Sequence, residues 1–345
     1  MTPAISVLLP VHNGADTLDR ALASIRGQMR ADWEVVAVDD GSTDATAALL
    51  GAAARADPRI RVVAPGRVGL VAALNAGLAA ARGPFIARMD ADDESHPERL
   101  AAQAAFLEAH ADIGLVGCGV AFGGDRTANQ GYALHVDWIN ALVTPEAIAR
   151  NRFVESPLAH PSVMFRRELV AVHGGYQAGD FPEDYELWLR WLAAGVRMAK
   201  VPRPLLIWHD PPTRLSRTDR RYDGEAFFRL KAGHVARWLA DRGVTAGRGG
   251  APGRPVWVWG AGRPTRQRAA HLGGHGVEIA GYVDVDPKKT GRSVGGVPVV
   301  DPAGLPPPGR VFVLGYVGSR GARDLIRAAL VTRGYVEEVD FLMCA

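Results

Sequence analysis

An open α/β fold is what this sequence predicts: a mainly parallel sheet with helices on both faces, followed by a second, smaller α/β domain. Three observations carry it. Short apolar runs alternate with segments of 3.6-residue periodicity from the first residues onward. Polar clusters fall where the apolar runs stop, and in such sheets ligands bind at the carboxyl ends of the strands. A Gly-rich break, "AGRGGAPGR" (246–254), then separates two such alternating series. The expected division is 1–245 for the first domain, 246–254 for the linker and 255–345 for the second. A chain of 345 residues is also longer than one ordinary core supports.

The elements follow in order. "AISVLLPV" is an apolar run closed by a His-Asn-Gly turn, and "TLDRALASIRGQ" places Leu18, Leu22 and Ile25 on one helical face. "WEVVAVDDGSTDATAALLGAAARA" repeats the scheme, with Ser42, Thr43 and Asp44 as candidate caps. "RIRVVAP" and "GLVAALNAGLAAARG" give a third strand and helix, the latter closed by Gly83 and Pro84. "FIARMD" is a fourth strand, "PERLAAQAAFLEAH" a helix, and "IGLVGCGVAF" a further strand. Residues 124–160 show little periodicity and read as long loops. "SVMFRREL", "DYELWLRWLAAG" and "RMAKVPRPLLIWH" restore strand, amphipathic helix and strand, and "GEAFFRLKAGHVARWLADRG" is a closing helix of the first domain.

Composition narrows the class. With 48% hydrophobic and 22% charged residues the chain is globular. No run of about 18 apolar residues occurs, and "MTPAISVLLPVHNG" lacks a basic region and cleavage site, so a cytoplasmic protein is expected. Cys118 and Cys344 are too few and too far apart for a disulfide framework or a zinc site. The net charge of +3 is modest, and no nucleic-acid partner is expected. It is unevenly placed: residues 203–254 hold eleven Lys or Arg against five Asp or Glu. That stretch could face anionic lipid at the inner side of a membrane or a diphosphate, or be a solvated helix and linker.

The strongest chemical signal is "MDADD". Asp90 and Asp92 in an Asp-x-Asp arrangement can share one Mg²⁺ or Mn²⁺, which would leave coordination positions for phosphate oxygens and hold a nucleoside diphosphate as a leaving group. The competing reading is that Asp92, Asp93 and Glu94 cap a helix starting near Pro97. "PVHN" (10–13) and "VDDGSTD" (38–44) end the first two strands, so three polar clusters converge on one sheet edge. There Asp40 can accept from a pyrimidine imide and Asn13 can donate and accept beside a base or ribose, although each also fits turn chemistry. Arg88 stands close enough to the acids to lower their net charge.

"PVHN", "VDDGSTD", "ARMDADD" and "PEDYELWLR", in this order and spacing over about residues 1–235, resemble the family 2 glycosyltransferases, inverting enzymes of the GT-A fold that use nucleotide sugars. The resemblance implies that Pro10, Val11, Asn13 and Asp40 form the nucleotide-base pocket, with Arg67 and Asn75 beside the nucleotide. It also implies that Asp90 and Asp92 form the Asp-x-Asp motif and that Asp184 is the catalytic base. A base opposite the leaving diphosphate is what an inverting displacement needs. The bland reading of Glu183 and Asp184 is that of favourable first-turn helix acids.

His209 is a further metal or diphosphate candidate. Arg214, Arg217 and Arg220 are candidate phosphate clamps. His160, Glu183 and Trp188 are candidates for the acceptor site, where a glycan, a lipid-linked sugar or a protein would bind. The donor expected is a UDP sugar and the cofactor Mn²⁺ or Mg²⁺, in the biosynthesis of a cell-surface glycan. Two other functions share parts of this pattern: a nucleotidyltransferase making the nucleotide sugar, and a non-catalytic nucleotide-sugar sensor. The first should carry a Gly-rich, basic loop after the first strand, which "PVHNGADTLDRA" is not.

In the second domain "VWVWGAGRPT" reads as a strand and a Gly-x-Gly turn, with Thr265 where a third glycine would stand. Gly260, Gly262 and either Asp284 or Asp286 are candidates for a second nucleotide site, and a docking or regulatory module is the alternative. This domain resembles the small Rossmann-like domains that precede some sugar acyltransferases.

Overall fold

The computed structural model describes residues 2–211, 214–245, 253–319 and 321–345. Two compact units are present: Met1–Ala149 with Pro157–Asp219, and Arg150–Ser156 with Arg220–Ala345.

The first unit is built on an eight-stranded sheet. Its strands are β1 (Ile5–Val11), β2 (Trp33–Asp39), β3 (Ile60–Val63), β4 (Phe85–Arg88), β5 (Glu94–Ser95), β6 (Ile113–Phe122), β7 (Met164–Arg166) and β8 (Arg197–Trp208), in the order β3-β2-β1-β4-β7-β6-β8-β5. The first four and the β6–β8 pair are parallel, whereas β7 runs against both β4 and β6, and β5 against β8. Every residue of β1 is buried, as befits a central strand covered on both faces. Its side chains alternate: Ile5, Val7, Leu9 and Val11 join a core with the helix Leu18–Arg26, and Leu8 points to the opposite core with Ala73, Leu74 and Trp188. The order reverses between β1 and β4, so the crevice beyond their carboxyl ends is the switch point where doubly wound sheets bind ligands.

Residues 124–160 depart from the expected loops. They hold the helices Gln130–Ala141 and Pro145–Asn151. The first contains Gly131, Val136, Ile139 and Asn140, weak helix formers, which hides it from propensity. Packing decides instead: Ala133, Val136 and Ile139 are buried, and the Asn140 amide bonds the Val120 backbone in both directions, at 2.9 and 2.8 Å.

The second unit carries a six-stranded sheet of β9 (Val256–Trp259), β10 (Ile279–Val283), β11 (Arg292–Val294), β12 (Val297–Val300), β13 (Phe312–Gly315) and β14 (Phe341–Met343), ordered β11-β12-β10-β9-β13-β14 and parallel except for β11. The expected boundary at 245 moves to 219, because the helix Gly224–Asp241 belongs here. Its buried face meets this sheet, with Phe228 6.0 Å from Tyr316 and Trp238 5.8 Å from Phe312 between ring centres. The buried Lys231 ammonium of the same helix donates to the carbonyls of Val154 (3.1 Å) and Cys344 (2.6 Å). Of the expected linker, residues 246–252 lie outside the described residues. No helix among the described residues is long and apolar enough to cross a membrane.

Candidate active site

The acids of "MDADD" lie in the turn between β4 and β5, and not on a helix. The following helix, Arg99–Ala109, begins six residues after Asp93, and its N-cap Glu98 makes no side-chain capping bond. The capping interpretation therefore has no helix to serve. β5 pairs with β8, Glu94 opposite Ile207, which turns the chain back across the sheet edge. Beneath the turn, buried Arg99 donates to the Arg88 carbonyl at 2.7 Å and fixes the end of β4.

Oxygens of Asp90, Asp92 and Asp93 come within 4.8 Å of one another. Burial, then the Asp90 charge, raises the pKa of Asp92; burial, then Asp90 and Asp92, raises that of Asp93 well above its ordinary value. Asp93 accepts the His209 amide at 2.8 Å, yet its buried Oδ2 has no hydrogen-bond partner. An orphaned buried oxygen among three mutually repelling carboxylates suits a hard divalent cation, whose preferred ligands are oxygens. Asp93 was absent from the ligands expected from sequence, since an adjacent pair of acids does not reveal which one turns inward. His209 differs from its expected role: its Nε2 pairs with Glu94 at 2.8 Å, and its backbone rather than its ring serves the cluster.

Beside the acids, β1 and β2 end in interlocked loops. The buried Asp40 accepts from the amides of Val68 (2.7 Å) and Gly69 (2.8 Å) with one oxygen and pairs with Arg67 through the other. Gly41, at φ 64°, permits this: a Cβ there would stand 2.7 Å from the Arg67 nitrogen. Asn13, also left-handed at φ 52°, accepts from the Thr43 amide at 2.8 Å, and its own amide donates to Ser42 at 3.0 Å. Pro10 and Val11 are buried at the end of β1, where the Val11 carbonyl accepts the Asp40 amide. Asn75 is engaged elsewhere, its amide bonding the Tyr176 backbone in both directions at 2.9 and 3.0 Å.

Asp184 lies in the first turn of the helix Glu183–Ala193, half-buried, accepting the Tyr185 amide at 2.7 Å. Burial, then the Glu183 charge, raises its pKa to about 7. The neighbouring Glu183 is buried, with an oxygen 3.7 Å from His160 Nδ1, while His160 Nε2 is 2.8 Å from the Tyr176 hydroxyl. Burial, then Arg88, holds His160 well below its usual pKa, so the ring is neutral. Trp188 lies beneath, 6.0 Å from the His160 ring and fully buried, so it shapes the floor rather than a surface.

Arg88 joins the two groups of acids. Its guanidinium is buried and donates to Asp90 at 2.5 Å. Burial opposes its charge, but Asp90, Tyr176 and Glu183 outweigh that and raise its pKa. Of the three candidate clamps, Arg214 and Arg217 belong to this unit and Arg220 to the other.

A mainly parallel sheet with an acidic turn at its switch point is the arrangement of the GT-A fold, and solved structures agree in fold. The chain superposes on S. aureus TarS 1–349 in complex with UDP-GlcNAc at a TM-score of 0.53, with 19% identity over 68% of this chain and 66% of that one. The mannosyltransferase PcManGT of Pyrobaculum calidifontis, in complex with GDP-Man and Mn²⁺, gives 0.50, with 23% identity over 70% and 64%. The chain thus spans just under two thirds of each of those chains.

Residues 6–174 match the model of the family "Glycosyl transferase family 2". The amylovoran biosynthesis glycosyltransferase AmsE of Erwinia amylovora is 30% identical over 204 residues, 58% of this chain and 74% of that protein. The chain belongs to glycosyl transferase family 2 and is a glycosyltransferase.

Proposed function

We propose that this enzyme is inverting and metal-dependent, and that it moves a sugar from a UDP sugar to an acceptor hydroxyl in the assembly of a cell-surface polysaccharide. The observation that carries this reading is the crowded turn of Asp90, Asp92 and Asp93 with its partnerless buried oxygen. Asp92, Asp90 and Asp93 would hold Mn²⁺ or Mg²⁺, which when bound supplies positive charge for the diphosphate. The loops of Pro10, Val11, Asn13, Asp40 and Arg67 border the place for the nucleoside. Asp184 accepts the proton of the acceptor hydroxyl, whose oxygen bonds to the anomeric carbon as the bond from that carbon to the diphosphate oxygen breaks. A carboxylate with a pKa of about 7 is suited to that transfer near neutral pH. His160 and Glu183 border the acceptor side. Acceptors on a lipid carrier would bring the enzyme to a membrane surface.

Family membership sets aside a nucleotidyltransferase, and the loop after β1 agrees: it bonds to Ser42, Thr43 and Thr46 and forms no Gly-rich triphosphate cradle. The test is calorimetry of UDP and UDP sugars, with and without Mn²⁺, on the wild type and Asp92→Ala. Binding that requires the metal and weakens at least tenfold in the variant is expected. Equal binding with and without metal would return the acids to a structural role.

A further inference from the structure

Arg214 and Arg217 stand three residues apart and are held in opposite ways. Arg217 is exposed and its charge is matched: its Nε donates to Asp210 Oδ1 at 2.8 Å, a second bond reaches Asp210 Oδ2, and the Asp210 side chain is buried. Arg214 is half-buried and has no such carboxylate. Its guanidinium lies 4.3 Å from the centre of the Trp208 ring and 5.3 Å from that of Tyr132, and it donates to the Tyr132 hydroxyl. Among the described residues no carboxylate comes within 4.0 Å of it.

The holding groups are neutral. The Tyr132 and Trp208 rings lie 5.2 Å apart at a tilt of 50°, with Phe122 5.6 Å from Tyr132. Burial pushes the Tyr132 phenol above its usual pKa, so it accepts the bond without carrying a charge. Aromatic faces and a phenol oxygen therefore fix a cation in place without cancelling it. Its position is tied to the acidic turn: Trp208 precedes His209, whose amide donates to Asp93. Asp90, Asp92 and Asp93 all act electrostatically on Arg214 or feel its charge, from beyond contact distance. A guanidinium held without a contacting carboxylate, beside Trp208 and within electrostatic reach of Asp90, Asp92 and Asp93, suits an anion that would come to this turn together with a cation.

We propose that Tyr132, with Trp208, is a positioning residue that holds Arg214 uncancelled at the acidic turn, so that the site selects a nucleoside diphosphate over a monophosphate. The proposal rests on the metal–diphosphate reading of that turn. Tyr132 belongs to the helix Gln130–Ala141, far along the chain from every motif that marks the donor site.

The test compares UDP and UMP binding by calorimetry in saturating Mn²⁺ for the wild type, Tyr132→Phe, Arg214→Ala and the double variant. Tyr132→Phe keeps the ring and loses the acceptor. We expect its preference for UDP over UMP to fall at least fivefold, with UMP affinity unchanged and the melting temperature close to wild type. In the Arg214→Ala background the same substitution should produce no further fall. A wild type that prefers UDP while Tyr132→Phe retains that preference overturns the positioning role and leaves the proposed function intact. So does an equal effect of Tyr132→Phe with and without Arg214. A wild type with no preference for UDP overturns both.

Discussion

Both units place acids where a parallel strand ends, yet one of these edges is electrostatically open and the other is matched. In the first, Asp90, Asp92 and Asp93 crowd together, two of them with raised pKa values, and one buried oxygen goes without a partner. In the second, Asp284 accepts the amides of Ala261 (2.8 Å) and Asp286 (3.0 Å) and pairs with Lys289 at 3.2 Å, which together hold its pKa down against burial. Gly260 and Gly262 lie in the turn beside it, and a Cβ on Gly260 would meet Val317 at 2.7 Å and Thr265 at 2.9 Å, so the turn is closely packed at Gly260. Asp284 is a brace of its own turn. Topology makes an edge, and unmatched charge at that edge makes a site.

Removing the proposed base gives the largest expected change. Asp184→Asn should lower kcat by about a hundred- to ten-thousandfold with donor binding intact, measured by steady-state transfer and calorimetry. Full retained activity would assign the base elsewhere. The pH profile is next in size. Burial, then the Glu183 charge, raises the Asp184 pKa to about 7, and in the proposed mechanism the ionised form is the active one. Therefore kcat/KM should fall roughly tenfold per pH unit as pH drops below about 7, and level off above it.

Glycines sharpen the contrast between the two edges. Gly41→Ala strains a left-handed residue against the Arg67 backbone, by roughly 1–3 kcal/mol, and should weaken UDP binding about tenfold. Gly260→Ala, also at positive φ, should lower thermal stability while leaving UDP binding unchanged. The smallest effect is expected from Asp284→Asn. Loss of its charged bonds should cost about 1 kcal/mol in urea unfolding and leave transfer untouched. A loss of transfer in either variant of the second unit would show that its edge is not merely braced.

Much of the first unit could be read directly from residue patterns. β1 to β4 and their helices follow from apolar runs, periodicity and turn residues, because each is a local property of consecutive positions. So was the convergence of "PVHN", "VDDGSTD" and "MDADD" on one edge, since strand polarity alone dictates it. Two helices in 124–160 were not legible; the weak formers of the first are stabilised by packing on β6. Nor was the allegiance of the helix Gly224–Asp241, because an amphipathic face states that it will be buried and not against which sheet.

At the site the same division holds. Sequence by itself determined which residue types gather where β1, β2 and β4 end, and hence the acidic character of the turn. Tertiary structure decided which of them are free. It turned Asp93 inward, matched His209 with Glu94 and Arg217 with Asp210, and left Arg214 to two aromatic rings. The physical reason is that a charge's availability depends on its distance to the opposite charge and on the water around it, and both are set by residues remote in the chain.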